Sequence, residues 1–184
     1  YRKIMKDLGF NLLIFPANQK LSDLYADDAF PAYMPDSYAT RLAQAKIVTI
    51  RHLSPSLQEK VLWPERRRTI ILIGTRGEIP SMFRDLKEPI LTAVKRGEAV
   101  VGHELARSLG LKPGDHIALF GRTFTVSQCN EERGTKDDVS IWIDLPEAQR
   151  ILGKPGKINA ILALKCLCAG NELAKVRQDV AAGL

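Results

Sequence analysis

Gly102-His103-Glu104-Leu105-Ala106-Arg107-Ser108-Leu109-Gly110-Leu111-Lys112-Pro113-Gly114-Asp115-His116-Ile117-Ala118-Leu119-Phe120-Gly121-Arg122-Thr123-Phe124-Thr125-Val126 is the stretch around which the chain is organised. Leu105, Ala106 and Leu109 recur at helical spacing, so Glu104 to Leu109 predicts a short amphipathic helix. Gly110 suits its C-cap, because glycine enters the left-handed region without a Cβ clash. Lys112-Pro113-Gly114-Asp115 predicts a turn. His116 to Leu119 alternates like a half-buried strand, Phe120-Gly121-Arg122 makes a tight hairpin, and Phe124 and Val126 carry the alternation onward. The pattern specifies a small β-rich module and supplies no obvious catalyst.

Beyond this stretch, Val139 to Ile143 predicts a strand with Val139, Ile141 and Ile143 on one face and Trp142 on the other. Leu145 to Leu152 predicts a helix with Asp144 as cap and Pro146 at its first position. Gly153-Lys154-Pro155-Gly156 stops it. Ile158 to Leu164 reads as an apolar strand, and Asn171 caps a last amphipathic helix through Leu173, Val176 and Val180. Toward the N-terminus, Ala99 to Gly102 and Thr69 to Gly74 read as strands, the second buried by its continuous β-branched character. Leu86 and Pro89 to Lys95 suggest helical pieces. Ile47 to Ile50 and Ser56 to Leu62 read as two separate strands. Ser37 can cap a helix over Tyr38 to Ala43. Asn11 to Pro16 is the first strand, after a helical segment ending at Gly9.

Strand and helix, a β-rich interruption, then strand and helix again describe an α+β fold. Residues 1–73 and 151–184 form one sheet-plus-helix lobe, and residues 74–150 form a smaller mixed, β-rich lobe inserted into it. Residues 20 to 36 read as an irregular loop. Its Tyr25, Phe30, Tyr33 and Met34 either cover the core or form an exposed apolar tip, a surface for a partner or substrate.

The chain has 184 residues and 45% hydrophobic content, which excludes a disordered class. No apolar run reaches eighteen residues, so the sequence contains no membrane span. It starts at Tyr1 with no signal peptide and reads as a piece of a longer polypeptide. Residues 1–73 hold 11 basic and 7 acidic side chains, residues 74–150 hold 11 and 12, and residues 151–184 hold 5 and 2. The net charge of +6 therefore sits near the two ends, as in a segment that flanks anionic headgroups. No aromatic residues interleave with the basic ones, which argues against nucleic acid.

Candidate chemistry is sparse. Arg66-Arg67-Arg68 reads as a solvated hairpin end, since alternate side chains of an extended segment diverge from any single ligand. Gly74-Thr75-Arg76-Gly77 lacks the Lys-Ser/Thr ending of a phosphate loop. His52, His103 and His116 show no metal-ligand spacing. Asp137 and Asp138 read as braces for the loop before Val139. Cys166 and Cys168 stand two apart, too constrained to pair with each other. They could supply half of a tetrahedral zinc or Cu(I) site, completed by Cys129 or a histidine, or they could be small buried hydrophobes.

Val100 to Asp115, Phe120 to Val126, Gly134 to Leu152 and the opening Leu8-Gly9-Phe10-Asn11-Leu12-Leu13 resemble the MacB-like extracytoplasmic domain of ABC-transporter permeases. The resemblance implies a domain between the first and second transmembrane helices, on the periplasmic or extracellular side of the cell membrane. Its larger lobe would be porter-like. It implies a permease dimer driven by a cytoplasmic ABC ATPase, and a non-catalytic coupling role in efflux, lipoprotein extraction or control of an external enzyme. An extracytoplasmic adaptor or a hydrophobic substrate would be the external partner, and no cofactor is expected. Cys129 and the Cys166/Cys168 pair depart from the family pattern and leave open a zinc or copper site. The alternatives are a thiol-based metal-binding module and a small-ligand-binding domain of a soluble enzyme.

Overall fold

The computed structural model of the chain describes residues 10–20, 22–23, 31–45, 47, 50–79, 89, 91–165 and 173–184. The strands are β1 (Leu12–Ile14), β2 (Met34–Pro35), β3 (Ile50–Trp63), β4 (Arg68–Thr75), β5 (Glu98–Val101), β6 (His116–Leu119), β7 (Arg122–Cys129), β8 (Ser140–Asp144), β9 (Lys157–Ile158) and β10 (Ala160–Lys165). The helices are α1 (Ser37–Gln44), α2 (His103–Leu109), α3 (Leu145–Ile151) and α4 (Leu173–Gly183), with a 3-10 turn over Lys136–Val139. Among the described residues, eight strands form one mixed sheet in the order β1-β10-β3-β4-β8-β5-β7-β6, and β2 pairs with β9 beside it.

The organising stretch folds as its pattern predicts. Gly110 takes φ +65° at the α2 C-cap. Phe120 and Gly121 have φ of +51° and +72°, the two left-handed residues that let a two-residue hairpin follow the strand twist. Ile117, Leu119, Phe124 and Val126 are all buried. They meet Trp63, Ile70, Leu72, Ile141 and Ile143 in one apolar cluster. A second cluster gathers Ile14, Met34, Leu42, Leu57, Ile161 and Val176. Helix α3 joins the two, with Ala148 in the first and Leu145 in the second. Gly74 makes that helix position possible, since a Cβ there would collide with the Ala148 side chain. The Gly74 to Gly77 stretch is thus the end of β4 and the start of an irregular segment.

Several predicted elements change in the folded chain. The two strands expected on either side of Pro55 are one 14-residue strand. Its irregularity is a bulge: Leu162 opposes Ser54 and Leu164 opposes Arg51, so His52 and Leu53 share one partner position, with His52 at φ +55°. Pro55 is tolerated because the β4 ladder begins only at Ser56 opposite Thr75, so its missing N–H has no partner to lose. The expected strand from Ile158 to Leu164 is broken at Asn159, for a reason given below. Ser37 is the first residue of α1, and Asp36 holds the cap position without a capping bond. Its N–H goes to the Gly156 carbonyl and its carboxylate accepts from Gln149 Nε2 at 3.0 Å. Val139 ends the 3-10 turn, so the strand after it starts at Ser140. Residues 91–95 form no helix and run beside Gly77. The expected helix ending at Gly9 and the Asn171 cap lie outside the described residues.

Candidate functional site

Strand β3 has two halves with different neighbours. From Ile50 to Ser56 it pairs with β10, and on its other side only the Leu53–Ile79 bridge precedes the β4 ladder, which begins at Ser56. From Leu57 to Trp63 it pairs with β4 alone, because β10 begins at Ala160, opposite Ser56. Asn159, fully buried, sits at this junction. Its Oδ1 accepts from the Gln58 N–H at 2.9 Å, and its Nδ2 donates to the Gln58 carbonyl at 2.7 Å. The Asn159 N–H itself donates to the Ser56 carbonyl. A carboxamide thus stands in for one residue of a strand. It satisfies two buried backbone groups that would each cost about 1–3 kcal/mol if left unpaired.

Next to this junction lies an open hollow of about 540 Å³, lined by Pro31, Tyr33, Gln58, Glu59, Lys60, Thr69, Ile70, Ile71, Lys136 and Val139. Tyr33 is its best-defined member. Its hydroxyl donates to Glu59 Oε1 at 2.7 Å, and the Lys154 ammonium stands 4.6 Å from the ring centroid, within cation–π range. Burial, and then the bond and charge of Glu59, push the Tyr33 phenol up to about 12. Among the described residues, those lining the hollow include no histidine and no cysteine. They offer donors, acceptors, cations and apolar surface, which is the chemistry of recognition.

At the far end of the β3–β4 hairpin, two hairpin tips are tied together. The Trp63 indole N–H donates to the Ala118 carbonyl at 2.8 Å, and Glu65 Oε1 accepts the Gly121 N–H at 2.6 Å. Burial raises the Glu65 pKa, but the Gly121 amide and further hydrogen bonds outweigh it and leave the carboxyl below its ordinary value. Arg66 and Arg67 are exposed, the solvated hairpin end expected from the sequence. Arg68 turns aside and donates to Ser108 Oγ at 2.7 Å.

The residues singled out in the sequence fare unequally. Tyr33 is half-buried on the hollow, whereas Met34 is 4% exposed and belongs to the core, so it is no part of a partner surface. Its strand, β2, pairs with β9 and turns the thioether inward. Tyr25 and Phe30 lie outside the described residues. Cys129 is half-buried on β7, and its Sγ donates weakly to the Leu111 carbonyl at 3.6 Å. Burial and then the charge of Asp115 push its thiol up, away from the thiolate a metal needs. Cys166 and Cys168 lie outside the described residues. Among the described residues, no three His, Cys, Asp or Glu side chains gather as a metal site.

Asp138 braces its loop as the sequence suggested, accepting the Arg133 and Gly134 N–H groups at 3.0 and 2.7 Å. Glu147, 5% exposed, accepts the Gly97 N–H at 2.8 Å. Its second oxygen lies 3.7 Å from the Arg122 guanidinium. Sequence reasoning missed Asn159, Glu59, Lys60 and Lys154. Only Asn159 carried a signal, as the one polar residue inside the apolar run from Ile158 to Leu164.

No protein-family model matches the sequence, and no curated protein matches it in sequence. Solved structures do match. The periplasmic region of MacB from Actinobacillus actinomycetemcomitans superposes with a TM-score of 0.60 at 13% identity, over 92% of this chain and 80% of that one. The fold is that of a transporter's external domain. The extracellular domain of the noncanonic ABC-type transporter YknZ from Gram-positive bacteria superposes with a TM-score of 0.54 at 11% identity, over 91% of this chain and 86% of that one. The α+β architecture read from the sequence, and the MacB-like resemblance that came with it, agree with these neighbours. Among the described residues, no helix is long and apolar enough to cross a membrane.

Proposed function

We propose that this chain is the extracytoplasmic domain of an ABC-transporter permease and performs no chemistry itself. The observation that carries this reading is the superposition on the MacB periplasmic region over 92% of the chain, with almost no sequence identity to account for it. In this reading a cytoplasmic ATPase supplies the free energy and a second permease copy completes the machine. The domain passes rearrangements between membrane helices and an external partner or hydrophobic substrate. Residues 1–73 and 151–184 act as one lobe and residues 74–150 as the other. Helix α3 is the mechanical link, because Leu145 and Ala148 belong to different apolar clusters and Gln149 is bonded to Asp36.

Coupling of this kind is a shift between two arrangements, so locking one of them tests it. Cysteines placed at Asp36 and Gln149, in a full-length permease whose native cysteines are replaced, would be joined by a short thiol crosslinker. Transport or partner activation should stop on crosslinking while ATP still binds, and should return when a cleavable linker is cut. Undiminished coupled function in the locked protein overturns the mechanism. A parent polypeptide without flanking membrane spans overturns the assignment itself.

A further inference from the structure

Among the described residues, the outer half of β3 beyond Gln58 leaves a sheet edge with its hydrogen-bonding groups unused. Backbone groups alternate sides along a strand. The Ser56 carbonyl and the Gln58 N–H and C=O point away from β4, toward Asn159. By the same alternation, Lys60 and Leu62 also point away from β4, about 6.8 Å apart. Past Asn159 the chain runs into β9, which lies beside β3 but pairs with β2 and forms no ladder with β3. Among the described residues, no backbone partner reaches Lys60 or Leu62 from that side. Both residues are exposed, Leu62 at 61%. Soluble proteins usually protect such an edge, since it is a template for a further strand.

We propose that this edge, from Glu59 to Leu62, receives an added β-strand: an extended segment of another protein that carries carboxylates on alternate residues. Asn159 already occupies the same line with a strand-like pair of bonds, so a partner strand would continue where it stops. The hollow beside Lys60 leaves room for the side chains of such a segment. Charge selects an acidic one. Lys60, Arg66 and Arg67 are exposed around the edge, while the nearest carboxylates are engaged, Glu59 by Tyr33 and Glu65 by Gly121. Main-chain bonds would hold the strand and the cations would choose it. The edge does not depend on the permease assignment, since it follows from the register of β3 alone.

The test uses the 184-residue chain and three capped six-residue peptides: one alternating valine with glutamate, one alternating valine with lysine, and the glutamate peptide with its inward amides N-methylated. Titration by NMR should show the glutamate peptide shifting and protecting the Lys60 and Leu62 amides, more weakly as salt rises. Leu62→Pro removes an N–H that points away from β4, so the ladder stays intact while the edge is blocked. A folded Leu62→Pro chain should bind at least tenfold more weakly, as should the methylated peptide to the unaltered chain. Lys60→Glu should reverse the preference between glutamate and lysine peptides. The proposal fails if the methylated peptide binds as well as its parent, if the lysine peptide binds equally, or if the two amides are already protected in the free chain. It also fails if sedimentation finds a dimer that Leu62→Pro dissolves, which would give the edge to a second copy.

Discussion

The two halves of β3 show two ways of holding one strand. The inner half is held by its edges, with the β10 ladder on one side and the Leu53–Ile79 bridge on the other. It can therefore bury Ser54 and Ser56, because Ser54 Oγ donates to the Gly77 carbonyl and Ser56 Oγ accepts from Gln58 Nε2. The outer half has one edge and is held by a face. Val61 and Trp63 pack into the apolar cluster while Lys60 and Leu62 stand in solvent. Pairing secures the inner half and packing secures the outer one, so the same strand can be both scaffold and docking line.

Removing the face should cost the outer half most. Trp63→Ala deletes the largest fully buried side chain and its bond to Ala118, and should destabilise the chain by about 3–5 kcal/mol in urea unfolding. The junction comes next. Asn159→Leu leaves the Gln58 N–H and C=O unpaired and should cost about 3 kcal/mol, while Leu62→Ser should stay within about 0.5 kcal/mol. Equal costs at these two positions would erase the distinction between the halves.

Two titrations sharpen the comparison with smaller effects. Folding favours the protonated Tyr33, so its contribution is whole below pH 10 and is lost as pH rises toward about 12. The phenolate difference spectrum between the native chain and Tyr33→Phe should have its midpoint near that upper value. Glu65 has the opposite sign. Its folded carboxyl lies below the ordinary value of 4.5, so its tie to Gly121 stabilises above that pH and fades as the solution is acidified further. Glu65→Gln should flatten that acid slope and loosen the two hairpin tips, read as faster amide exchange at Gly121.

How much was legible follows from how local each signal is. The α2 helix, its Gly110 cap and the β6–β7 hairpin were readable because their periodicity and turn chemistry lie within a few residues of one another. The exposed Arg66 and Arg67 and the Asp138 brace were readable for the same reason. The single long β3 was not, since a left-handed His52 and a Pro55 look like a strand break until β10 supplies the bulge and β4 stops short. Whether Met34 covers the core or sits on an exposed tip was open in the sequence, and its pairing with Ile158 places it inside.

By itself, then, the amino-acid order determined an α+β chain of short elements, where most of them begin and end, and which of their faces are apolar, because these properties are set by neighbours three or four residues away. Tertiary structure alone decided that β10 stops opposite Ser56, that Asn159 closes the gap beyond it, and that, among the described residues, no backbone partner reaches Lys60 and Leu62 on that side. Those outcomes depend on residues 101 positions apart meeting across a sheet. No local pattern encodes where a strand's neighbour ends, so an edge comes into being only when the sheet assembles.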